Sequence, residues 1–351
     1  MKSFSMTLGR FRLTVQLIML VTLLYGATVM GHYLSDMVSN ALPALSCAYD
    51  PVASDYCVLI PTQHQLNHRV GEAIVRMQGF AFSMLLPLLF TFINFFILFV
   101  IFNKAFCGWI CPLGTIQELI FRLGRFLGRP LHNLKPHQTG KVRPIKWLML
   151  VGLVMALPLM AGFGVAPHEA GDAFCQVCPS RIITSMAAGS TEQLAVSTSS
   201  VTDTIFGAIR AFLVGFIVIA ALAIRQPFCR ICPMLSLHAV FRRFSLTRLV
   251  KVQNDHCDKC GICTKACPMD IPEIWKEHGP KAFNEDCTLC GKCAEYCPQD
   301  SVISIKTGPF TVFKSSRDYY KKRVKQVKPN GSKPAAKSKT GRASRAKGEN
   351  T

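Results

Sequence analysis

Two stretches of the sequence, "CDKCGICTKACP" from Cys257 and "CTLCGKCAEYCP" from Cys287, share one spacing, C-x2-C-x2-C-x3-C-P. Thiolates spaced in this way ligate [4Fe–4S] clusters in pairs. Three sulfurs on one tight loop cap three irons. The fourth, placed before a proline that turns the chain away, reaches the neighbouring cluster. The spacing assigns Cys257, Cys260, Cys263 and Cys297 to one cluster and Cys287, Cys290, Cys293 and Cys267 to the other. Gly261 and Gly291 allow close backbone approach, so that N–H groups can bond cluster sulfurs. Zinc is the competing chemistry, but zinc takes four ligands per site, usually as two separated pairs, not a doubled run ending in Cys-Pro. Two clusters side by side suit one-electron relay. No Gly-x-Gly-x-x-Gly, phosphate loop or His-Glu-x-x-His suggests a catalytic pocket.

Sixteen cysteines are present among 351 residues, so eight lie outside those two runs. Cys107 and Cys111 in "AFCGWICPLGTI", and Cys229 and Cys232 in "PFCRICPMLSL", form two Phe-Cys…Cys-Pro pairs. A third copy, "AFCQVCPSRII", carries Cys175 and Cys178, while Cys47 and Cys57 frame "SCAYDPVASDYC".

Four apolar runs position these groups: Leu13–Met30, Phe80–Phe102, Trp147–Ala166 and Ile205–Ile224. Each approaches the roughly 20 residues a membrane helix needs, and none alternates as a strand would. The first continues apolar through Met30 and reads as a span rather than a cleaved signal. Pro158 within the third is tolerable if neighbours satisfy the freed carbonyl. Residues 103–146 hold eight Lys/Arg against Glu118 alone, whereas residues 32–78 and 167–203 are each richer in acids than bases. The positive-inside rule then places both termini, the 103–146 loop and everything after Arg225 in the cytoplasm. The fold expected is an α-helical membrane protein of four transmembrane helices (1–253), with a C-terminal α+β two-cluster domain (254–306) and a disordered basic tail (307–351).

Each inner pair follows a span directly and precedes a basic amphipathic stretch, "LGTIQELIFRLGRFLG" or "MLSLHAVFRRFSLTRL", which fits a helix on the inner leaflet. The unit occurs twice, as an internal duplication would. Cys107, Cys111, Cys229 and Cys232 would converge to hold an iron–sulfur cluster or another metal; a disulfide is disfavoured in a reducing compartment, and packing alone leaves the pairing unexplained.

This order of spans, "CGWICP", "CRICP" and a two-cluster domain resembles the NapH/MauN-type membrane polyferredoxins. It is also similar to the membrane and ferredoxin half of NosR and to CcoG. The resemblance covers roughly residues 10–306. It implies a bacterial inner-membrane protein with two [4Fe–4S] clusters, passing electrons between the quinone pool or a cytoplasmic donor and a periplasmic redox enzyme or its carrier. The family motif usually reads C-x3-C-P; Cys107/Cys111 matches, while Cys229/Cys232 is one residue shorter.

Cys47, Cys57, Cys175 and Cys178 depart from the family pattern, and charge topology sets them on the outer face, away from the inner four. Disulfides, a copper site drawing on His64 and His68, and a further cluster all fit those residue types. The thirteen Lys/Arg of residues 314–351 suit anionic lipid at about 1 kcal/mol each, and no folded motif points to nucleic acid. Electron relay is the leading reading. A maturation factor that reduces copper or a disulfide for a periplasmic enzyme, and a membrane redox sensor, are the alternatives.

Overall fold

A computed structural model describes residues 7–30, 49–50, 54–55, 59–77, 81–130, 136–187, 189, 201–252, 257–279 and 282–327. Cys47, Cys57 and the tail beyond 327 lie outside the described residues.

Long Leu-, Phe- and Ile-rich runs become helices because a backbone without water must satisfy its hydrogen bonds internally. Three helices carry stretches long and apolar enough to cross a bilayer: Leu8–Tyr25, Gln138–Gly162 and Thr204–Ala223. The expected fourth span is shorter. After a single turn at Phe82–Met84, its helix runs Leu86–Ile101, 16 residues or about 24 Å, against a hydrocarbon core of about 30 Å. The third run is continuous from Pro136 to Gly162 and widens to π-helical turns over Met149–Ala156. Those turns end just before Pro158, which removes one N–H from the helical ladder.

Between these helices the chain folds back as short helical segments. Leu59–Met77 and the pair Ala173–Val177 and Pro179–Ala187 both contact the middle of the 136–162 helix or its neighbours. Non-helical turns at such depth are tolerated only where protein surrounds them. The Pro112–Phe126 helix, expected on the inner leaflet, packs across Val201–Ala223, where a Cβ on Gly124 would fall on the Leu222 carbonyl. It buries Thr115, Gln117 and Glu118 and exposes Leu123 and Phe126. The second amphipathic stretch forms an α-helix over Pro233–Val240 and a 3-10 turn over Phe241–Phe244, and its end becomes the strand Thr247–Lys251.

That strand opens the antiparallel sheet of the cysteine-rich domain, in the order Thr247–Lys251, Ile303–Thr307, Phe310–Lys314. Residues 307–327, expected to begin a disordered tail, instead supply the third strand and the Arg317–Val327 helix. The Phe313 ring meets Tyr319 edge-on, which anchors that helix to the sheet.

Ion pairs fasten the domain to the membrane helices. Arg143 reaches Asp286 (2.7 Å) and Glu273 (2.9 Å), Lys146 pairs with Asp286, and Arg230 with Asp270 (2.7 Å). Glu118 joins Arg12 (2.7 Å), Arg122 (3.0 Å) and Lys292 (3.2 Å). Burial alone would raise the Glu118 pKa, but Lys292 and then Arg12 overcome it and hold the carboxyl down at about 2.

Candidate iron–sulfur centres

The two cysteine loops of the C-terminal domain have the same backbone. Lys259 and Gly261 in the first, and Leu289 and Gly291 in the second, have positive φ (48°, 71°, 49° and 75°). Such reversals turn consecutive N–H groups into one concavity, an anion nest. Cys257, Cys260, Cys263 and Cys297 line one open cavity of about 350 Å³. Cys267 sits among Cys287, Cys290 and Cys293 and away from its own loop's cavity, as the crossed spacing requires. Burial pushes the Cys267 thiol up to about 12 and Cys287 to about 11. Four thiols gather at each set, the donor type and number a [4Fe–4S] cluster takes, so the residues fit such a cluster.

Directly beneath the second loop lies the Cys107–Cys111 turn. A Cβ on Gly108 would fall on the Thr288 carbonyl oxygen and within 3.2 Å of the Cys290 backbone, so only glycine permits this approach. Trp109 Nε1 donates to the Leu289 carbonyl (3.0 Å), and Gln16 Nε2 to that of Gly108 (3.1 Å). Cys111 and Cys232 each precede a proline that starts a helix, with ψ of 118° and 124°. That extended geometry is what a following proline imposes. The structure brings Cys107, Cys111, Cys229 and Cys232 to one apolar cavity of about 570 Å³, lined also by Phe106, Phe228 and Leu235. Burial pushes Cys229 up to about 12 and Cys107 and Cys232 well above the usual thiol range, as in the other loops.

A fifth cysteine lines the same cavity: Cys178. It is also among the sulfurs that act on Cys232. The expectation that Cys178 stands apart from the inner four is therefore corrected, whereas Cys175 is not among the residues lining that cavity. Charge counting located the 167–203 loop but could not show that the loop turns back along the 136–162 helix. Cys178 has ψ 118° before Pro179, the geometry of Cys111 and Cys232.

Two glutamines organise these pairs identically. Gln117 Nε2 donates to the Leu113 carbonyl (3.3 Å) and lies 3.6 Å from Cys229 Sγ, while its Oε1 accepts from the Phe228 N–H (3.0 Å). Gln63 Nε2 donates to the Leu59 carbonyl (3.1 Å) and Cys175 Sγ (3.0 Å), while its Oε1 accepts from the Phe174 N–H (3.2 Å). Every residue of the first set lies 54 positions after its counterpart in the second.

Comparison with known proteins agrees with this geometry. The family described as "4Fe-4S binding domain" matches residues 84–130 and 205–251, each a helix with its Cys-Pro pair. The "4Fe-4S dicluster domain" matches residues 249–325. The chain carries 4Fe–4S ferredoxin-type domains. Among its relatives is the "Putative electron transport protein YccM" of Escherichia coli (strain K12), 29% identical over 181 residues, 51% of this chain and 45% of that protein. The "Regulatory protein NosR" of Stutzerimonas stutzeri is 24% identical over 46% of this chain and 20% of its own. The "Methylamine utilization ferredoxin-type protein MauN" of Methylobacillus flagellatus is 23% identical over 48% and 50%. The chain thus spans half or less of each of these relatives. No solved structure matches it. The ferredoxin-type domains, these relatives and the apolar helices together are consistent with a membrane polyferredoxin-type protein.

His64 and His68 do not face the cysteine cavity. Their rings lie 4.5 Å apart, and His68 Nδ1 meets Glu72 Oε1 at 2.8 Å, with His168 beside them. Glu72 was readable as the next i+4 step, whereas His168, a hundred residues on, was not. Gln63 and Gln117 were also missed. The 54-residue step that exposes them appears in sequence only when the two Cys-Pro copies are aligned together with the glutamines.

Proposed function

We propose that this protein is a membrane-bound electron-transfer chain, relaying single electrons from the cytoplasm or quinone pool toward a periplasmic redox enzyme. One observation carries the reading: the Gly108 turn of the membrane site touches the Thr288–Cys290 loop of the ferredoxin-type domain. In this reading Cys257, Cys260, Cys263 and Cys297 hold one cluster, and Cys267, Cys287, Cys290 and Cys293 the second. Cys107, Cys111, Cys229 and Cys232 hold a third. When bound, a [4Fe–4S] cluster supplies reversible one-electron chemistry.

The chain's own residues do the rest. Gly108, through its backbone, and Trp109, through its indole N–H, keep the two sulfur sets in contact. Phe106, Phe228 and Leu235 line the membrane cavity with apolar surface, which keeps water out and favours a low-charge core. Gln117 and the loop N–H groups offer hydrogen bonds to sulfur, a determinant of reduction potential. The Glu118 and Asp286 ion pairs set the docking. Both termini and the ferredoxin-type domain face the cytoplasm, with Leu86–Ile101 serving as a short fourth crossing of a multi-pass inner-membrane fold.

Purified anaerobically, the full chain should lose about four irons when Cys107→Ser and Cys229→Ser are combined, with the two ferredoxin-type signals retained. Unchanged iron content would remove the membrane cluster from the scheme. A metal-handling role is favoured by one separate feature: ligand atoms of His68, Glu72 and His168 lie within 4.8 Å of one another. Copper or zinc titration of the His68→Ala protein against the native chain tests it, and equal binding would dismiss it.

A further inference from the structure

The third Phe-Cys…Cys-Pro copy is absorbed by neither matching family, whose segments end at residue 130 and resume at 205. Its surroundings nevertheless repeat those of Cys229 and Cys232 bond for bond. We propose that Cys175 and Cys178 supply two of the four ligands of a further iron–sulfur cluster beside the Cys107/Cys111/Cys229/Cys232 site, with Gln63 as their positioning residue. The inference rests on the reading of that neighbouring site as a cluster site and extends it.

Three observations carry it. The first is the pair of glutamines. Gln63 is fully buried (0% exposed) in an apolar helical body, where an uncompensated amide is costly. Its three hydrogen bonds match those of Gln117, including the N–H aimed at the first sulfur of the pair. An amide donor on sulfur is the device by which iron–sulfur sites tune their ligands, and apolar packing needs none. Secondly, Cys175 and Cys178 occupy the same local frame as Cys229 and Cys232. Both pairs follow a buried Phe, and both end in Cys-Pro with extended ψ before a helix. Thirdly, Cys178 shares the cavity of the neighbouring set, which sulfur ligands to a second cluster would do in a continuous relay.

Duplication accounts for the arrangement. The step of 54 that carries Cys175 onto Cys229 also carries Leu59 onto Leu113, Gln63 onto Gln117 and, in sequence, Cys57 onto Cys111. A long helix, a cysteine pair and a short helix recur, and alternate copies pair through one glutamine. Cys178 lines the cavity that holds Cys107, Cys111, Cys229 and Cys232, so the Gln63 pair adjoins that set.

The test uses the full chain, purified anaerobically from membranes. Cys175→Ser combined with Cys178→Ser should remove about four irons and four sulfides per chain and abolish one reducible centre. That centre must differ from the one lost with Cys107→Ser and Cys229→Ser. Gln63→Leu should keep the iron content and shift the potential of the same centre, and Gln117→Leu should shift the other. If the Cys175/Cys178 variant does not accumulate, the Gln63→Leu titration decides alone. Unchanged iron and potentials in the Cys175/Cys178 and Gln63 variants, or a Cys175–Cys178 disulfide by mass spectrometry of the native chain, would overturn this inference. Iron loss confined to the Cys107/Cys229 variant leaves the neighbouring site standing; loss in neither variant fells both.

Discussion

The ferredoxin-type domain and the membrane body present sulfur ligands in different ways. In the domain, loops with positive φ at Lys259, Gly261, Leu289 and Gly291 turn backbone N–H groups toward the cysteines. In the membrane body the cysteines sit at the ends of short helices, and backbone hydrogen bonds reach Cys107 and Cys229 there as well. Side-chain amides, Gln63 and Gln117, add a donor to Cys175 and Cys229, each amide also fixed to its own helix and to the Phe N–H before the cysteine. Both regions therefore use backbone on sulfur, and the membrane body adds a buried amide to it. Glycine is accordingly needed in the domain for conformation, and at Gly108 for contact between the two regions.

The largest expected effect comes from breaking that contact. Gly108→Val would drive a side chain into the Thr288 carbonyl, so electron exchange between the two regions should fall by orders of magnitude at near-native iron content. Rapid-freeze EPR after reduction of the ferredoxin-type domain measures it, and an unchanged rate would mean the regions do not communicate there. Next is the buried ion cluster. Glu118→Gln leaves Arg12 and Lys292 uncompensated and should destabilise docking by about 3–5 kcal/mol, read as a lower unfolding temperature in detergent. The same carboxylate sets an acid limit. Its folded pKa of about 2 lies below the unfolded carboxylate value near 4.3, so its contribution is full above about pH 4.3. That contribution is lost as pH falls through 2, and Glu118→Gln should flatten this part of the profile. The smallest effect is Trp109→Phe, which removes one hydrogen bond to Leu289 and should cost about 1 kcal/mol with iron content unchanged.

Much of the ferredoxin-type domain was legible because its ligands are local: twelve-residue runs carry their own spacing, glycines and prolines. The membrane body was legible as helices but not as a site. Cys178 reaches Cys232 through a chain reversal between Gly162 and Ala173 that apolar counting does not register. Leu86–Ile101 read as a full span because flanking apolar residues extend the run beyond the helix itself. Charge counts over residues 103–146 set an orientation but could not reveal that Lys104, Arg143 and Lys146 point at Asn284, Glu285 and Asp286 carbonyls and carboxylates across the domain boundary. The strand Thr247–Lys251 reads in sequence as the end of a helix, because its partner, Ile303–Thr307, lies more than fifty residues away. Long-range pairing and long-range ligation escaped for the same reason: neither leaves a local period.

Spin coupling tests the central claim most directly, namely that the membrane cysteines and the ferredoxin-type domain form one redox unit. In the fully reduced native chain, EPR should show signals broadened and split by neighbouring centres, simplifying when Cys107→Ser and Cys229→Ser are introduced. A native spectrum equal to the sum of two isolated ferredoxin-type signals, unaltered by those substitutions, would contradict it.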